Sequence, residues 1–180
     1  MTHCDSPALH MLPAAARTAL PWKNGGGKTW DVAVFPPGSG MDTFAWRISM
    51  AEVAVEGPFS SFENVDRILV VLEGRLELRY TDEGRSVYLE PGQSHAFPGD
   101  VAISGRPLDG AVRDLNIMVR RGAWRARVST GRPKHLSDTT VLAVSTRPSS
   151  GFAIYDAAVL GEEASLPPDF SGYFIGLRPA

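Results

Sequence analysis

The sequence contains little of what marks disulfide-stabilised, secreted or membrane proteins. Cys4 is the one cysteine among 180 residues, so an internal disulfide cannot form, which fits a reducing compartment. No apolar run approaches the roughly 18 residues that a transmembrane helix needs. The N-terminal segment also lacks the basic start and the continuous apolar run of a secretory signal. These absences predict a cytoplasmic protein without a membrane partner.

A large excess of positive or negative charge is missing as well. The chain carries 18 Lys and Arg against 20 Asp and Glu, a formal charge of −2, and its arginines are scattered along the sequence. A basic surface complementary to nucleic-acid phosphates is therefore not expected, and nucleic acid is not a predicted partner.

The sequence offers few residues in the patterns that metal binding or nucleophilic catalysis requires. The four histidines have neither metal-ligand spacing nor a nearby cysteine; they are His3, His10, His95 and His135. No Gly-x-Ser-x-Gly elbow is present to hold a nucleophilic serine. The sequence therefore predicts no metal, no other cofactor and no assigned catalytic residue.

Turn-forming residues are abundant, with 18 Gly and 14 Pro spread over the whole chain. The apolar segments between them are short and often alternate, which is typical of strands. Strands are predicted at 29–35, 44–50, 66–72, 75–80, 87–89, 95–97, 101–104, 111–119, 124–128, 140–146, 152–155 and 173–177. Residues 66–80, which turn at Glu73-Gly74, are predicted to form a β-hairpin. Two segments, 14–20 and 156–163, are candidates for short helices.

Short strands separated by frequent turns are typical of a sandwich or a barrel, so the sequence predicts an all-β fold. Residues 1–130 are expected to form the main barrel. Residues 131–180 are expected to add C-terminal strands that complete the barrel or are fused to it in one compact unit. The segment Gly131-Arg-Pro-Lys134 is the best candidate for the seam between these parts.

The glycine-rich segment Lys23-Asn-Gly-Gly-Gly-Lys-Thr29 ends like a phosphate-binding loop. It lacks the first glycine of that motif, because Trp22 occupies the position, and the residues that follow are strand-like rather than helical. A Walker motif is therefore rejected. A flexible turn, in which the glycines supply positive φ, is the favoured interpretation. The other interpretation is an anion-binding site made by exposed backbone N–H groups and Lys23.

The stretch from Gly57 to Gly74 is the most informative part of the sequence. Its spacing Ser60-x-Phe62-x4-Arg67-x6-Gly74 resembles the first motif of the cupin superfamily, with these three side chains in place of metal ligands. The segment Leu89-Glu-Pro-Gly-Gln-Ser-His95 resembles the second motif, with one residue missing.

A guanidinium in the position of a metal-binding carboxylate argues against a bound cation. It favours an anionic ligand, because the planar fork of Arg67 matches a carboxylate. The alternative is a structural ion pair between Arg67 and Asp66, Glu63 or Asp114.

Further motifs are Pro21-Trp-Lys-Asn-Gly-Gly-Gly, Trp46-Arg-Ile-Ser, Gly57-Pro-Phe-Ser-x-Phe with Asp66-Arg67, and Asp114-Leu-Asn-x-Met118. In this order they resemble the HutD/Ves family over roughly residues 20–120. The resemblance implies a cupin-like (RmlC-like) jelly-roll barrel without a metal, either alone or as a compact bicupin with a smaller C-terminal half. It also implies binding of a small carboxylate metabolite (urocanate, formylglutamate or formate) that moderates histidine utilisation.

Carried over to this chain, the expected ligand-binding residues are Lys23, Asn24, Gly25, Gly26, Arg47, Ser49, Phe59, Ser60, Phe62, Arg67, His95 and Asn116. Trp22 would join Phe59 in an aromatic wall. Arg47 and Ser49 reach the site only if the other face of their strand, which carries Trp46, Ile48 and Met50, points away from it. A buried Arg47 would then need a carboxylate partner, for which Asp114 is the candidate.

Two other classes of function stay open at this point. One is a metal-free enzyme, an isomerase or hydrolase of a related small acid, with His95 or Asp114 as general base. The other is a protein-interaction module. Binding is favoured over catalysis because neither a metal set nor a nucleophile is found. Pairing through barrel edges, which covers exposed strands, also suggests a homodimer.

Overall fold

Alternating apolar segments punctuated by glycine and proline form strands throughout the chain. The computed structural model describes residues 9–132 and 139–180. These residues form a single short 3₁₀ turn at Ala14–Ala16 and fifteen strands. The strands are β1 (Leu9–Leu12), β2 (Ala19–Pro21), β3 (Gly27–Phe35), β4 (Trp46–Val53), β5 (Gly57–Pro58), β6 (Val65–Glu73), β7 (Leu76–Tyr80), β8 (Arg85–Leu89), β9 (Ser94–Pro98), β10 (Ile103–Pro107), β11 (Val112–Arg120), β12 (Trp124–Ser129), β13 (Thr140–Ser145), β14 (Ala157–Leu160) and β15 (Gly172–Pro179). The prediction of an all-β, cupin-like fold is confirmed.

The described residues cluster into two compact units. One is Thr18–Trp124, and the other consists of the described parts of Met1–Arg17 and Arg125–Ala180. The barrel boundary at residue 130 stays a prediction. Several residues singled out in the sequence lie outside the described part of the chain: His3, Cys4, His135 and the last two residues of the Gly131–Lys134 seam.

The Thr18–Trp124 unit contains two antiparallel sheets. Their strand orders are β2-β3-β4-β11-β6-β9 and β5-β10-β7-β8. Leu69 and Val71 of the first sheet pack with Leu76, Leu78 and Ile103 of the second in one buried apolar cluster. This apolar packing holds the two sheets together, because each buried aliphatic side chain contributes roughly 1.5–3 kcal/mol.

The predicted hairpin over residues 66–80 is wrong. Strand β6 pairs with β11 and β9, whereas β7 pairs with β10 and β8, so the two strands lie in different sheets. Gly74 at the turn has a φ of 77°. A Cβ there would come within 3.0 Å of the Ala111 carbonyl oxygen. The turn therefore carries the chain from one sheet to the other instead of folding it back on its neighbour.

The Arg125–Ala180 part and the N-terminal strand form one five-stranded antiparallel sheet, in the order β1-β14-β13-β15-β12. Both predicted helices are wrong: 14–20 contains the 3₁₀ turn and the start of strand β2, and 156–163 contains strand β14. The predicted strand at 152–155 is instead a turn region with a single bridge between Ser149 and Phe152. The Asp156 carboxylate fixes both turns, because it accepts hydrogen bonds from the amides of Ala14 (2.7 Å) and Ala153 (2.8 Å).

Within the described residues, no helix is long and apolar enough to cross a membrane.

Candidate functional site

Side-chain alternation along the six-stranded sheet places a group of polar residues on one face, at the base of an open cavity. The cavity has a volume of about 840 Å³. Its lining residues are Leu20, Pro21, Trp22, Lys23, Asn24, Thr29, Asp31, Ser39, Gly40, Met41, Arg47, Ser49, Ala51, Pro58, Phe59, Ser60, Phe62, Arg67, Asp114, Asn116 and Met118. Arg47 and Ser49 are both among them, so the face of β4 that they share lines the cavity.

Arg67 is the central cation of the cavity, and it is 7% exposed. Its Nη2 donates to Asn116 Oδ1 at 2.8 Å, and its Nη1 makes a longer bond, 3.4 Å, to the Ser60 carbonyl. Its buried Nε has no hydrogen-bond partner among the described residues. The alternative interpretation, an ion pair of Arg67 with Asp66 or Glu63, is not found in the described part of the chain, where Asp66 pairs with Arg121.

Aromatic rings surround the Arg67 guanidinium. Its Cζ lies 5.5 Å from the ring centre of Phe59, 5.6 Å from Phe62 and 5.0 Å from Phe97. The negative ring faces partly compensate the charge. They cannot replace the water that burial has removed, so the cation is held in a weakly solvating environment.

Asp114 is joined to Arg67 through the side chain of Asn116. Asn116 Nδ2 donates to Asp114 Oδ1 at 2.5 Å, while Asp114 Oδ2 is buried with no hydrogen-bond partner among the described residues. Burial raises the pKa of Asp114 to about 7, and the positive charge of Arg67 works in the opposite direction. Asp114 is therefore an acid that can hold its proton close to neutral pH.

Burial also lowers the pKa of Arg67 to about 10, since removing water disfavours the charged form. The negative charge of Asp114 opposes this shift, and the positive charge of Arg47 adds to it. Arg67 still carries its charge at neutral pH. The direction of the shift indicates that the guanidinium is under-stabilised without an added anion.

Arg47 is the second buried arginine of the cavity, also 7% exposed. Its Nη2 forms an ion pair with Asp31, and its Nη1 makes a 3.4 Å contact with Ser49 Oγ. The carboxylate partner is thus Asp31 of β3, and the expectation of Asp114 as that partner is wrong. Sheet register explains this, because Asp31 is the cross-strand neighbour of Ser49 on β4.

The glycine-rich segment forms a tight turn at the mouth of the cavity. Gly25 N–H donates to the Trp22 carbonyl, and Gly26 N–H donates to Asn24 Oδ1. Both amides are therefore used within the turn, and neither glycine is among the lining residues, whereas Lys23 and Asn24 are. The segment Lys23–Thr29 is a structured turn with three lining residues, of which Thr29 is the third.

Trp22 and Phe59 form one wall of the cavity, with their rings edge to face at 6.2 Å. Trp22 Nε1 donates to Thr29 Oγ1 at 2.7 Å, which fixes the indole. Gly105 of β10 leaves room for the Phe59 ring, because a Cβ there would lie 2.6 Å from it.

His95 is not among the residues that line the cavity. Its Nε2 is 2.6 Å from the Tyr80 hydroxyl oxygen, and its ring stacks on Phe97. Burial, followed by the charge of Arg85, lowers the pKa of His95. Phe97, on which His95 stacks, also contacts the Arg67 guanidinium.

The cavity also contains residues that the sequence analysis did not select, above all Asp31, Met41 and Met118. Asp31 had a signal in the sequence, because it alternates with Thr29 on one face of the predicted strand 29–35. Met41 had none, since it comes from the loop between β3 and β4. In the described residues no group of three or more His, Cys, Asp or Glu side chains could hold a metal ion.

The HutD family model matches residues 14–155. An uncharacterized 21.2 kDa protein in the hutC 3′ region of Pseudomonas putida is 38% identical over 120 residues, which are 67% of this chain and 63% of that protein. Protein Ves of Citrobacter koseri is 32% identical over 143 residues, 79% of this chain and 71% of Ves. This chain thus spans a little under two thirds of the P. putida relative.

Two solved structures are similar over nearly the whole chain. HutD from Pseudomonas fluorescens SBW25, determined in a formate condition, matches with a TM-score of 0.81 and 28% identity, covering 96% of this chain and 100% of that one. A conserved protein of unknown function from Pseudomonas aeruginosa PAO1 matches with a TM-score of 0.75 and 30% identity, covering 95% and 98%. These matches confirm the resemblance inferred from the motifs: the chain belongs to the HutD family.

Proposed function

We propose that the cavity binds a small carboxylate metabolite and that the protein thereby moderates histidine utilisation. The observation that carries the proposal is Arg67. It is a buried cation that lines an open cavity, and no carboxylate in the described residues forms an ion pair with it.

Burying a guanidinium without a counter-ion costs free energy, which an added anion can offset. A carboxylate matches the planar fork of Arg67, whose Nε is still unpartnered. The hydrogen bond to Asn116 holds the guanidinium in place before a ligand arrives. Such preorganisation reduces the ordering cost of binding.

The walls of the cavity suit a flat organic acid better than an inorganic anion. Phe59 and Phe62 supply aromatic surface next to Arg67, and Trp22 extends it through its contact with Phe59. Ser49 and Ser60 offer polar groups for the rest of a ligand. A cavity that combines apolar walls with a few converging polar groups is typical of small-molecule sites. Urocanate, formylglutamate and formate all carry the required carboxylate.

The link to histidine utilisation comes from family membership and from the P. putida relative in the hutC 3′ region. A protein that binds a pathway acid without consuming it would lower the free concentration of that acid. Its effect would be to moderate induction or flux, in proportion to its abundance and affinity.

The experiment is a thermal-shift titration of the protein with urocanate, formylglutamate and formate, each beside its neutral amide. At 100 times the dissociation constant an acid should add about 2.7 kcal/mol to the free energy of unfolding. We expect stabilisation by the acids only, and its loss in Arg67→Ala.

The matched control is Arg127→Ala, which removes an exposed arginine of β12 outside the cavity lining. It should respond to the acids like the unaltered protein. Absence of stabilisation by every acid, or stabilisation that survives in Arg67→Ala, would overturn the proposal.

A further inference from the structure

Asp114 is a fully buried acid in the lining of the cavity. Asn116 Nδ2 donates to one of its carboxyl oxygens, and the other, Oδ2, has no hydrogen-bond partner among the described residues. Asp31, the second acid of the described lining, is 46% exposed and pairs with Arg47. A buried carboxylate with a single donor is poorly stabilised, so a proton is an effective counter-charge for it. Whether Asp114 holds that proton depends on the charges around it.

The charged groups around Asp114 come mainly from the strands beside it. Arg47 of β4 and Arg67 of β6 lie on the two neighbours of β11, the strand that contains Asp114. Lys23 and Asp31 are the other charged residues of the described lining, which contains no histidine. The opposing sheet packs against this one through apolar side chains. Of these charges, that of Arg67 acts on Asp114 and favours its ionised form.

A carboxylate bound to Arg67 changes this balance of charge. Asn116 joins Arg67 to Asp114 through hydrogen bonds of 2.8 and 2.5 Å, so an anion on the guanidinium comes close to the acid. That anion compensates the positive charge that otherwise stabilises ionised Asp114. When two carboxylates compete for one cation, the pair titrates together and the buried member is driven to keep a proton. Ligand binding therefore favours the protonated form of Asp114.

We propose that Asp114 takes up a proton from solution when a carboxylate binds to Arg67, which makes the affinity of the cavity sensitive to pH. The inference rests on the proposed carboxylate-binding function and adds a regulation of that site. Burial raises the pKa of Asp114 to about 7. Well below that pH the acid already holds its proton, and the affinity is at its maximum. Above it, binding draws a proton from solution, so the affinity falls as pH rises.

The experiment is isothermal titration calorimetry of the full chain with formate and with formylglutamate at pH 5.5, 6.5, 7.5 and 8.5 and constant ionic strength. The carboxyl groups of both probes are ionised over this whole range. Urocanate is not a suitable probe here, because its imidazole group titrates in the same range. We expect the affinity to fall about tenfold from pH 5.5 to pH 8.5, which corresponds to a ligand-induced rise of about one unit in the pKa of Asp114.

A second measurement detects the proton directly and needs no variant. At pH 7.5 the binding heat is compared between phosphate and Tris, two buffers that differ in ionisation enthalpy. A proton taken up by the protein is supplied by the buffer, so the two heats differ in proportion to the number of protons bound. We expect uptake of about half a proton for each bound formate at this pH.

Asp114→Asn keeps the size of the side chain and cannot ionise. Its affinity should be independent of pH and close to that of the unaltered protein at pH 5.5. His95→Gln is the control for the nearest alternative source of a pH effect, because His95 stacks on Phe97, which contacts Arg67. This control should keep the pH dependence and the proton uptake.

Each contrary result identifies what is wrong. Formate that binds with the same affinity at every pH and without proton uptake would overturn the linkage and leave carboxylate binding in place. A pH dependence that survives in Asp114→Asn, or one that is lost in His95→Gln, would overturn the role of Asp114. No binding of either probe to the folded protein would overturn this inference, and the proposed function falls with it when urocanate also fails to bind.

Discussion

Arg67 and Asp114 are joined through the side chain of Asn116 rather than by a direct ion pair. The carboxamide of Asn116 accepts from Arg67 at 2.8 Å and donates to Asp114 at 2.5 Å. This arrangement holds a cation and an acid on one buried face without letting them neutralise each other at contact distance. The guanidinium consequently keeps donors for a ligand, and the acid keeps its affinity for a proton.

Asn116→Ala is expected to destabilise the protein by roughly 1–3 kcal/mol, because it leaves buried groups of Arg67 and Asp114 without partners. Urea unfolding measures the change. In Asp114→Ala the same network is already broken, so adding Asn116→Ala should cost less than it does alone. Full additivity of the two substitutions would contradict the coupling of Arg67 and Asp114 through Asn116.

The pKa of Asp114 predicts a specific pH dependence of stability. Its folded-state pKa of about 7 lies above the unfolded value of about 3.9. The folded state therefore binds this proton more tightly, so the contribution of Asp114 to stability falls as pH rises from about 4 to about 7.

Asp114→Asn should remove that component, and the free energy of unfolding should depend less on pH over this interval. Urea unfolding at several pH values, compared with the unaltered protein, measures the difference. A steeper decline with rising pH in Asp114→Asn than in the parent would contradict the assignment.

The lowered pKa of Glu77 predicts a pH dependence of stability that is opposite in sign to that of Asp114. This buried carboxylate pairs with Arg79 at 3.0 Å and Arg106 at 2.6 Å and accepts a hydrogen bond from Ser86 at 2.8 Å. The hydrogen bond with Arg79 is the largest cause that lowers the pKa of Glu77, to about 2. Its stabilising effect should be present above about pH 4.3, the unfolded value, and be lost as pH falls towards 2.

Glu77→Gln should therefore be less stable than the parent at neutral pH and lose less stability on acidification. Glu83→Gln is a suitable control, since Glu83 forms an exposed pair with Arg85 and such pairs contribute little. Acid unfolding followed by circular dichroism separates the two variants. Identical acid midpoints for parent and Glu77→Gln would show that the cluster does not contribute.

Gly105→Ala tests the aromatic wall without altering any charge. The added Cβ would lie 2.6 Å from the Phe59 ring, so the ring must move. We expect carboxylate affinity to fall several-fold, because Phe59 also contacts the Arg67 guanidinium. Gly131→Ala, where an added Cβ has no neighbour within 4 Å, is the control. Unchanged affinity in Gly105→Ala would exclude Phe59 from the binding wall.

The local sequence pattern predicted the positions of most individual strands but not which strands pair with each other. The predicted strand 111–119 corresponds to β11, Val112–Arg120, and 124–128 to β12, Trp124–Ser129. The hairpin at 66–80 failed because the position of Gly74 indicates a turn but not the sheet that the chain enters afterwards. Residues 156–163 failed because a carboxylate, that of Asp156, ties the preceding turn to Ala14, far away in sequence.

In the candidate site, too, residue positions could be predicted from the sequence, whereas the pairing between residues could not. The position of Arg67 in a cupin-like motif was readable from the sequence. The pairing of Arg47 with Asp31 was not, because it depends on the register of β3 against β4, which contains a bulge after Asp31. The cupin-motif position of His95 likewise could not reveal that its side chain contacts Tyr80 and does not line the cavity.

The sequence by itself determined that the protein is built from short strands and that its motifs are those of the HutD family, and it predicted a cation at the position where the cupin motif that it resembles has a metal ligand. These properties depend on residue type and on spacing along the chain, which local sterics and periodicity translate directly into structure. Only the tertiary structure decided that Arg67 is held by Asn116 rather than by a carboxylate, and that Arg47 shares its cavity. Both depend on which strands lie side by side and in what register, because burial and electrostatic pairing arise between residues that are distant in sequence.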